Sequence, residues 1–145
     1  MMKLKNLKNR QNQLLILQKG QMKNYMLDNI SIGTDIEEIS RFEGKNLEGD
    51  RIFLNKIYTT KELDYCFKNA QSAQHLCARF CAKEAVVKAL SGLGIKDIFY
   101  NDIEITNRTD GYPIVIIKKY PELKVKISLS HCKTYATATT IVQKK

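Results

Sequence analysis

The sequence has no tryptophan, no Cys-x-x-Cys pair and no run of 18 apolar residues. Each absence removes a class of reading. A membrane-crossing helix needs about 18 or more consecutive apolar residues, so none is expected. Paired zinc-binding cysteines usually stand two residues apart, and Cys66, Cys77, Cys81 and Cys132 lack that spacing. His75, Cys77 and Cys81 invite a metal cluster, but a helix turns His75 away from the face that Cys77 and Cys81 share. The four thiols are read instead as structural groups of a reducing cytosol, packing as small apolar side chains. No internal repeat or long linker interrupts the 145 residues, a length that suits one domain with its own core.

Acidic residues are missing from one end. Residues 1–25 hold six lysines and arginines and no aspartate or glutamate, so they carry +6 of the net charge of +9. The rest of the chain is close to balanced, at +3. This uneven charge argues against a non-enzymatic basic nucleic-acid-binding domain, for which the N-terminus is the sole support. Residues 14–17 make too short an apolar core for a targeting peptide, and no small-residue cleavage site follows. Residues 1–25 are expected to be weakly ordered, apart from a short helix around residues 14–17.

The remaining sequence alternates between two periods. Residues 29–36 read as a strand, in which Ile30, Ile32 and Thr34 alternate with Ser31, Gly33 and Asp35. A short helix is predicted at 37–43 and a charged loop at 44–57. Thr59 and Glu62 form a capping box that opens a helix to about residue 69. Ser72 is read as the cap of a long helix over 73–91, which carries a stripe of Ala78, Ala82, Ala85 and Ala89 for close packing. Strands are predicted at 102–107, 112–118, 124–130 and 134–142, with a turn at 107–111. Antiparallel strands with grouped helices give an α+β fold, a short antiparallel sheet packed on one long helix.

Chemistry concentrates in three places. On the long helix Glu84 and Lys88 stand four residues apart, with Lys83 beside them. A carboxylate can hold a hard cation and ammonium groups can hold phosphate oxygens; a surface Glu–Lys pair is the plainer alternative. Asp35 lies at the end of the first strand, where a helix N-cap is the plainer alternative. His131 ends a strand in a Ser-His turn.

These segments, in this order, resemble the holo-acyl-carrier-protein synthase family of small 4′-phosphopantetheinyl transferases. The likeness rests on Gly33-Thr34-Asp35-Ile36-Glu37-Glu38-Ile39-Ser40-Arg41-Phe42, on Arg79-Phe80-Cys81-Ala82-Lys83-Glu84-Ala85-Val86-Val87-Lys88-Ala89-Leu90, and on the stretch from Ser128 to Ala138. Thr59-Thr60-Lys61-Glu62-Leu63 and Asp102-Ile103-Glu104-Ile105 followed by Gly111-Tyr112-Pro113 add two more matches. Cys132 stands where the family has Ser or Thr, and Gly92 and Gly94 are displaced by one from its Gly-Thr-Gly or Gly-Ser-Gly. The match begins at Leu27, just after Met22 and Met26. Residues 26–145 are therefore expected to form one domain, and residues 1–25 to be an extension or the product of a misassigned start.

The resemblance implies transfer of 4′-phosphopantetheine from coenzyme A to a serine of apo-acyl carrier protein, for fatty acid biosynthesis in the cytoplasm. A peptidyl or polyketide carrier is the alternative acceptor. It implies Mg²⁺ held by Asp35 and Glu84, the catalytic carboxylates, with the serine proton passing to Glu84 or to water. Lys83, Lys88, Arg79 and His131 would hold the phosphates of coenzyme A, and Arg41 would dock the acidic carrier. Members of the family associate as homotrimers with sites between subunits.

Overall fold

In the computed structural model, which describes Leu14, Leu15 and residues 27–145, the first strand touches the long helix backbone to backbone. Strand β1 (Ile30–Glu38) runs into a single 3₁₀ turn (Ile39–Phe42). Three helices follow, α1 (Arg51–Ile57), α2 (Thr60–Lys68) and α3 (Ser72–Gly92). A second 3₁₀ turn (Tyr100–Asp102) leads into β2 (Ile103–Asn107), β3 (Pro113–Ile117), β4 (Lys124–His131) and β5 (Tyr135–Gln143). Leu14 and Leu15 are helical and exposed; the rest of the basic N-terminal segment lies outside the described residues.

The α+β class holds, but the strands form two sheets instead of one. β1, β5 and β4 pair antiparallel in that order, and β2 pairs only with β3. β1 and β5 are in register from Ile30 opposite Gln143 to Glu38 opposite Tyr135. Both β1 and β5 lie against α3.

Small side chains make that contact possible. Ala78, Ala82, Ala85 and Ala89 are all buried, as the stripe predicts. Gly33 sits so close to α3 that a Cβ there would come within 1.9 Å of the Ala85 carbonyl oxygen and 2.8 Å of the Ala89 nitrogen. Gly92 in turn leaves room for Ser31, whose Oγ would stand 2.2 Å from an added Cβ. The face of β1 turned to the helix is therefore the small and polar one, Ser31, Gly33, Asp35 and Glu37. Its apolar residues point outward, with Ile32 67% and Ile36 65% exposed.

α3 is buried nearly all round. Leu76, Cys77, Cys81, Ala85, Val86, Ala89 and Leu90 are fully enclosed, so the helix has no polar stripe of the surface type. It starts one residue earlier than predicted: Ser72 is its first residue, and Gln71 occupies the cap position without a side-chain bond. It ends where Gly94, at φ +79°, takes the left-handed conformation that closes a helix C-terminus, donating to the Ser91 carbonyl at 3.0 Å. α2 carries both halves of the predicted capping box, worth about 1 kcal/mol for the Thr59 side chain.

The charged loop predicted at 44–57 contains a helix, α1. Its signal is weak because it is only seven residues long and has no side-chain cap. Asp50, just before it, instead accepts from Lys45 at 2.8 Å and from the Asn46 N–H at 3.1 Å. Tertiary burial of Leu54 and Ile57 holds the helix in place.

Gly33→Ala should cost about 3 kcal/mol or more, because two backbone segments must separate to admit one methyl group. Urea denaturation checks this; a loss below about 1 kcal/mol would mean that the strand–helix contact adjusts freely.

Candidate active site

The close approach at Gly33 brings Asp35 over the face of α3 that carries Cys81, Glu84 and Lys88. Asp35 lies inside β1, opposite Ala138 of β5, so it is not a helix cap. Its Oδ1 accepts from Lys88 Nζ at 2.8 Å, and the same ammonium donates to the Thr34 carbonyl at 3.0 Å. The Asp35 bond raises the Lys88 pKa above its ordinary value. Lys88 thus crosses from helix to strand instead of pairing with Glu84 one turn away.

Glu84 is half-buried, and its Oε1 accepts the hydroxyl of Tyr100. Burial first, and the neighbouring Glu84 second, push the Tyr100 phenol up to about 12. The Tyr100 ring lies 6.0 Å from that of Phe80, which packs 5.6 Å from Phe42. Nothing in the sequence spacing links Tyr100 to Glu84; they are sixteen positions apart, with the end of α3 between them.

Lys83 is placed elsewhere. It is completely buried, 2.7 Å from Glu62 Oε2. Its ammonium also donates to the Ile103 carbonyl at 2.6 Å and the Tyr100 carbonyl at 2.9 Å. An ammonium has three N–H donors, and all three are engaged, leaving none for a phosphate. Burial pulls the Lys83 pKa down while Glu62 opposes it. The sequence carried a signal for this: Lys83 falls at helical spacing from Leu76, Arg79, Val86 and Leu90, all buried.

Arg79 and His131 have separate partners. Arg79 is 4% exposed. Its Nη2 donates to Asn107 Oδ1 at 3.1 Å and its guanidinium lies 3.9 Å from the Tyr65 ring centre. Its buried Nε has no hydrogen-bond partner among the described residues. Gln74 Nε2 lies 2.8 Å from His131 Nε2. The His75 pKa is lowered first by burial and then by Arg79 and His131. A cavity of about 470 Å³ opens beside His131, lined by Gln74, His131, Cys132 and Lys133 among others. Gln74 and Glu84 are ten residues apart on α3, about 15 Å along the helix axis. The structure therefore brings Asp35, Glu84 and Lys88 together, keeps His131 apart from them beside Gln74, and seats Arg79 separately, against Tyr65 and Asn107.

Arg41, in the first 3₁₀ turn, is paired with Glu37 and lies 5.7 Å from the Phe80 ring centre. Its side chain remains 57% exposed. Cys66, Cys77 and Cys81 are buried, whereas Cys132 is exposed in its turn. Backbone N–H groups of Thr134 and Tyr135 lower the Cys132 pKa, and burial pushes the Cys66 thiol up to about 12.

Comparison with known proteins follows the same residues. Residues 31–140 match the family model of the 4′-phosphopantetheinyl transferase superfamily. The chain belongs to that superfamily. Within it, the chain falls in the holo-acyl-carrier-protein synthase family of enzymes. It is 41% identical over 114 residues to the holo-[acyl-carrier-protein] synthase of Protochlamydia amoebophila, covering 75% of this chain and 93% of that protein. The Chlamydia muridarum enzyme of the same name is 42% identical over 118 residues, covering 77% and 93%. The crystal structure of the Bacillus anthracis synthase in complex with CoA (3′,5′-ADP) superposes with a TM-score of 0.66 at 31% identity, covering 79% of this chain and 96% of that one. The Helicobacter pylori synthase in complex with coenzyme A gives 0.64 at 28%, covering 77% and 99%.

For this phosphopantetheinyl transferase the burial of Lys83 has a direct consequence. Lys83→Met removes one partner of a buried pair and leaves the Glu62 charge uncompensated, which costs about 3–5 kcal/mol. Chemical denaturation should register that loss of stability; a stable, inactive Lys83→Met would instead mark Lys83 as a substrate ligand.

Proposed function

We propose that this chain transfers 4′-phosphopantetheine from coenzyme A to a serine of apo-acyl carrier protein, in support of fatty acid biosynthesis in the cytoplasm. The supporting observation is the convergence of Asp35, Glu84 and Lys88 in a chain whose curated relatives are holo-acyl-carrier-protein synthases. In this reaction the serine oxygen attacks the phosphorus that bears pantetheine. The pyrophosphate bond breaks, 3′,5′-adenosine bisphosphate leaves, and the serine proton passes to a base. Such chemistry rests on charge neutralisation and in-line placement.

The donor set suits Mg²⁺. Two carboxylates, Asp35 and Glu84, both lie close enough to Lys88 and Tyr100 to shift their pKa values. Mg²⁺ is commonly held by one or two carboxylates, with water and substrate phosphate completing the octahedron. Asp35 and Glu84 would hold it, and when bound it supplies neutralisation of the pyrophosphate. Lys88, already beside Asp35, presents an exposed ammonium to the same phosphates. The Glu84 oxygen not engaged by Tyr100 would face the cation and the reacting phosphate, and the serine proton would pass to Glu84 or to nearby water.

His131 is assigned to the nucleotide phosphates, and the cavity that it lines supports that role. Arg79, buried against Tyr65 and Asn107, would reach them only if the side chain left that seat. Because His131 lies beside Gln74, about 15 Å along α3 from Glu84, one coenzyme A is shared between copies, with the carboxylates of one and His131 of its neighbour. A homotrimer would also cover the outward sheet face, where Ile32, Ile36 and Ile141 are exposed at 67%, 65% and 45%. Contiguous exposed apolar surface of this kind marks an interaction site. Arg41 remains exposed for an acidic carrier. Charge steering of that sort weakens with salt.

Mass spectrometry of apo-acyl carrier protein incubated with coenzyme A and Mg²⁺ should record the phosphopantetheine gain, and EDTA should abolish it. Glu84→Gln should fold normally and lose at least about a hundredfold in turnover, the low end of what a general base alone contributes. Full activity in metal-free buffer, or in Glu84→Gln, would remove the carboxylates from the mechanism. Light scattering should find a trimer that Ile36→Asp dissociates and inactivates; a fully active monomer would exclude a site shared between copies.

A further inference from the structure

Glu84 differs from Asp35 in how its charge is held. Asp35 has a cation beside it, Lys88 at 2.8 Å. No ion pair forms at Glu84 among the described residues; its side-chain partner there is the neutral phenol of Tyr100. Tyr100 is itself fixed from several directions. Its carbonyl accepts from the buried Lys83 at 2.9 Å, and its ring packs on Phe80. Its 3₁₀ turn is closed by Asp102 Oδ2, which accepts from the Phe99 N–H at 2.9 Å, and by the Asp102 N–H, which donates to the Phe99 carbonyl at 3.0 Å. Asn101 in the same turn donates to the Asn55 carbonyl of α1 at 2.5 Å. A glutamate on a helix face has three rotatable side-chain bonds and a carboxylate that swings freely unless something holds it. An ammonium partner would hold it but cancel its charge. A phenol holds it and leaves the charge intact.

We infer that Tyr100 is the positioning residue for Glu84: its hydroxyl fixes Oε1 and leaves Oε2 alone to face the cation and the reacting phosphate. The assignment rests on the reading of Glu84 as a cation ligand. Hydrogen-bonded partners of a metal ligand typically change metal affinity or activity by about 10–100-fold when lost. The Lys83–Glu62 pair extends the device, because it anchors the backbone of Tyr100 to α2 and α3 without touching substrate.

Tyr100→Phe keeps the ring on Phe80 and deletes only the hydroxyl. Mn²⁺ binding in the presence of coenzyme A, followed by electron paramagnetic resonance, should weaken about tenfold. Turnover should fall by a similar factor, with the KM for carrier protein unchanged and the urea midpoint close to that of the unaltered chain. In a Glu84→Gln background, Tyr100→Phe should add nothing to either loss, since the group it positions is already gone. Unaltered Mn²⁺ affinity and turnover in folded Tyr100→Phe would overturn the inference alone. So would a further, additive loss in the Glu84→Gln background, or a Tyr100→Phe chain that fails to fold. If the unaltered chain bound no Mn²⁺ with coenzyme A present, the reading of Glu84 as a cation ligand would fall first, and this one with it.

Discussion

The contact between β1 and α3 at Gly33 sets most of what the site can be. Any side chain at that position would meet the Ala85 carbonyl, and with only a hydrogen there the strand lies directly on the helix. That spacing delivers Asp35 to within hydrogen-bond reach of Lys88. It also decides which face of β1 is inside. A close-packed contact takes small groups, so Ser31 and Gly33 go inward and the isoleucines go outward. The outward face is therefore a consequence of the same constraint that assembles the carboxylates. In the trimer proposed above, both are served by one packing event: the strand that presents Asp35 on one side presents Ile32 and Ile36 on the other.

The buried Lys83–Glu62 pair is the second constraint, and its main effect is on geometry. Glu62 closes the capping box of α2 through the Thr59 N–H at 2.7 Å, and its other oxygen accepts from the Ile105 N–H of β2 at 2.8 Å. Lys83 contributes two further bonds to the segment from Tyr100 to Ile103. One carboxylate and one ammonium thus tie α2, α3 and the start of β2 together, with every donor and acceptor used. A buried pair need not add net stability over apolar residues of the same volume. What it adds here is a fixed place for Tyr100, and through Tyr100 an orientation for Glu84.

Much of the fold was legible in the sequence because its strongest signals are local. The alanine stripe, the Thr59–Glu62 box and the alternating strands rest on one-turn or two-residue periods, and each element formed within a few residues of its expected bounds. α1 was missed because seven residues with no side-chain cap carry too little local signal. The pairing of Lys88 with Asp35 is out of reach of local signals for a related reason. Spacing along one helix favours Glu84, four residues away, whereas Asp35 approaches across a gap whose width depends on a glycine fifty-five residues earlier.

The site residues divide in the same way. A family motif supplies residue types, and helical phase supplies direction. In the run from Arg79 to Lys88, Glu84 and Lys88 share a face, while Lys83 is turned by about 100° from Glu84. That rotation carries Lys83 into the buried row of Leu76, Val86 and Leu90. Two adjacent charged residues in one motif therefore serve different ends: Glu84 faces the proposed chemistry, and Lys83 faces the core. Tyr100 was beyond reach of either argument, since it meets Glu84 only after the chain has left α3 and turned back at Phe99. Motif and phase together place what lies on one element. Groups that meet across elements are fixed by packing, and at this site packing is controlled by a missing side chain at Gly33 and a buried charge at Lys83.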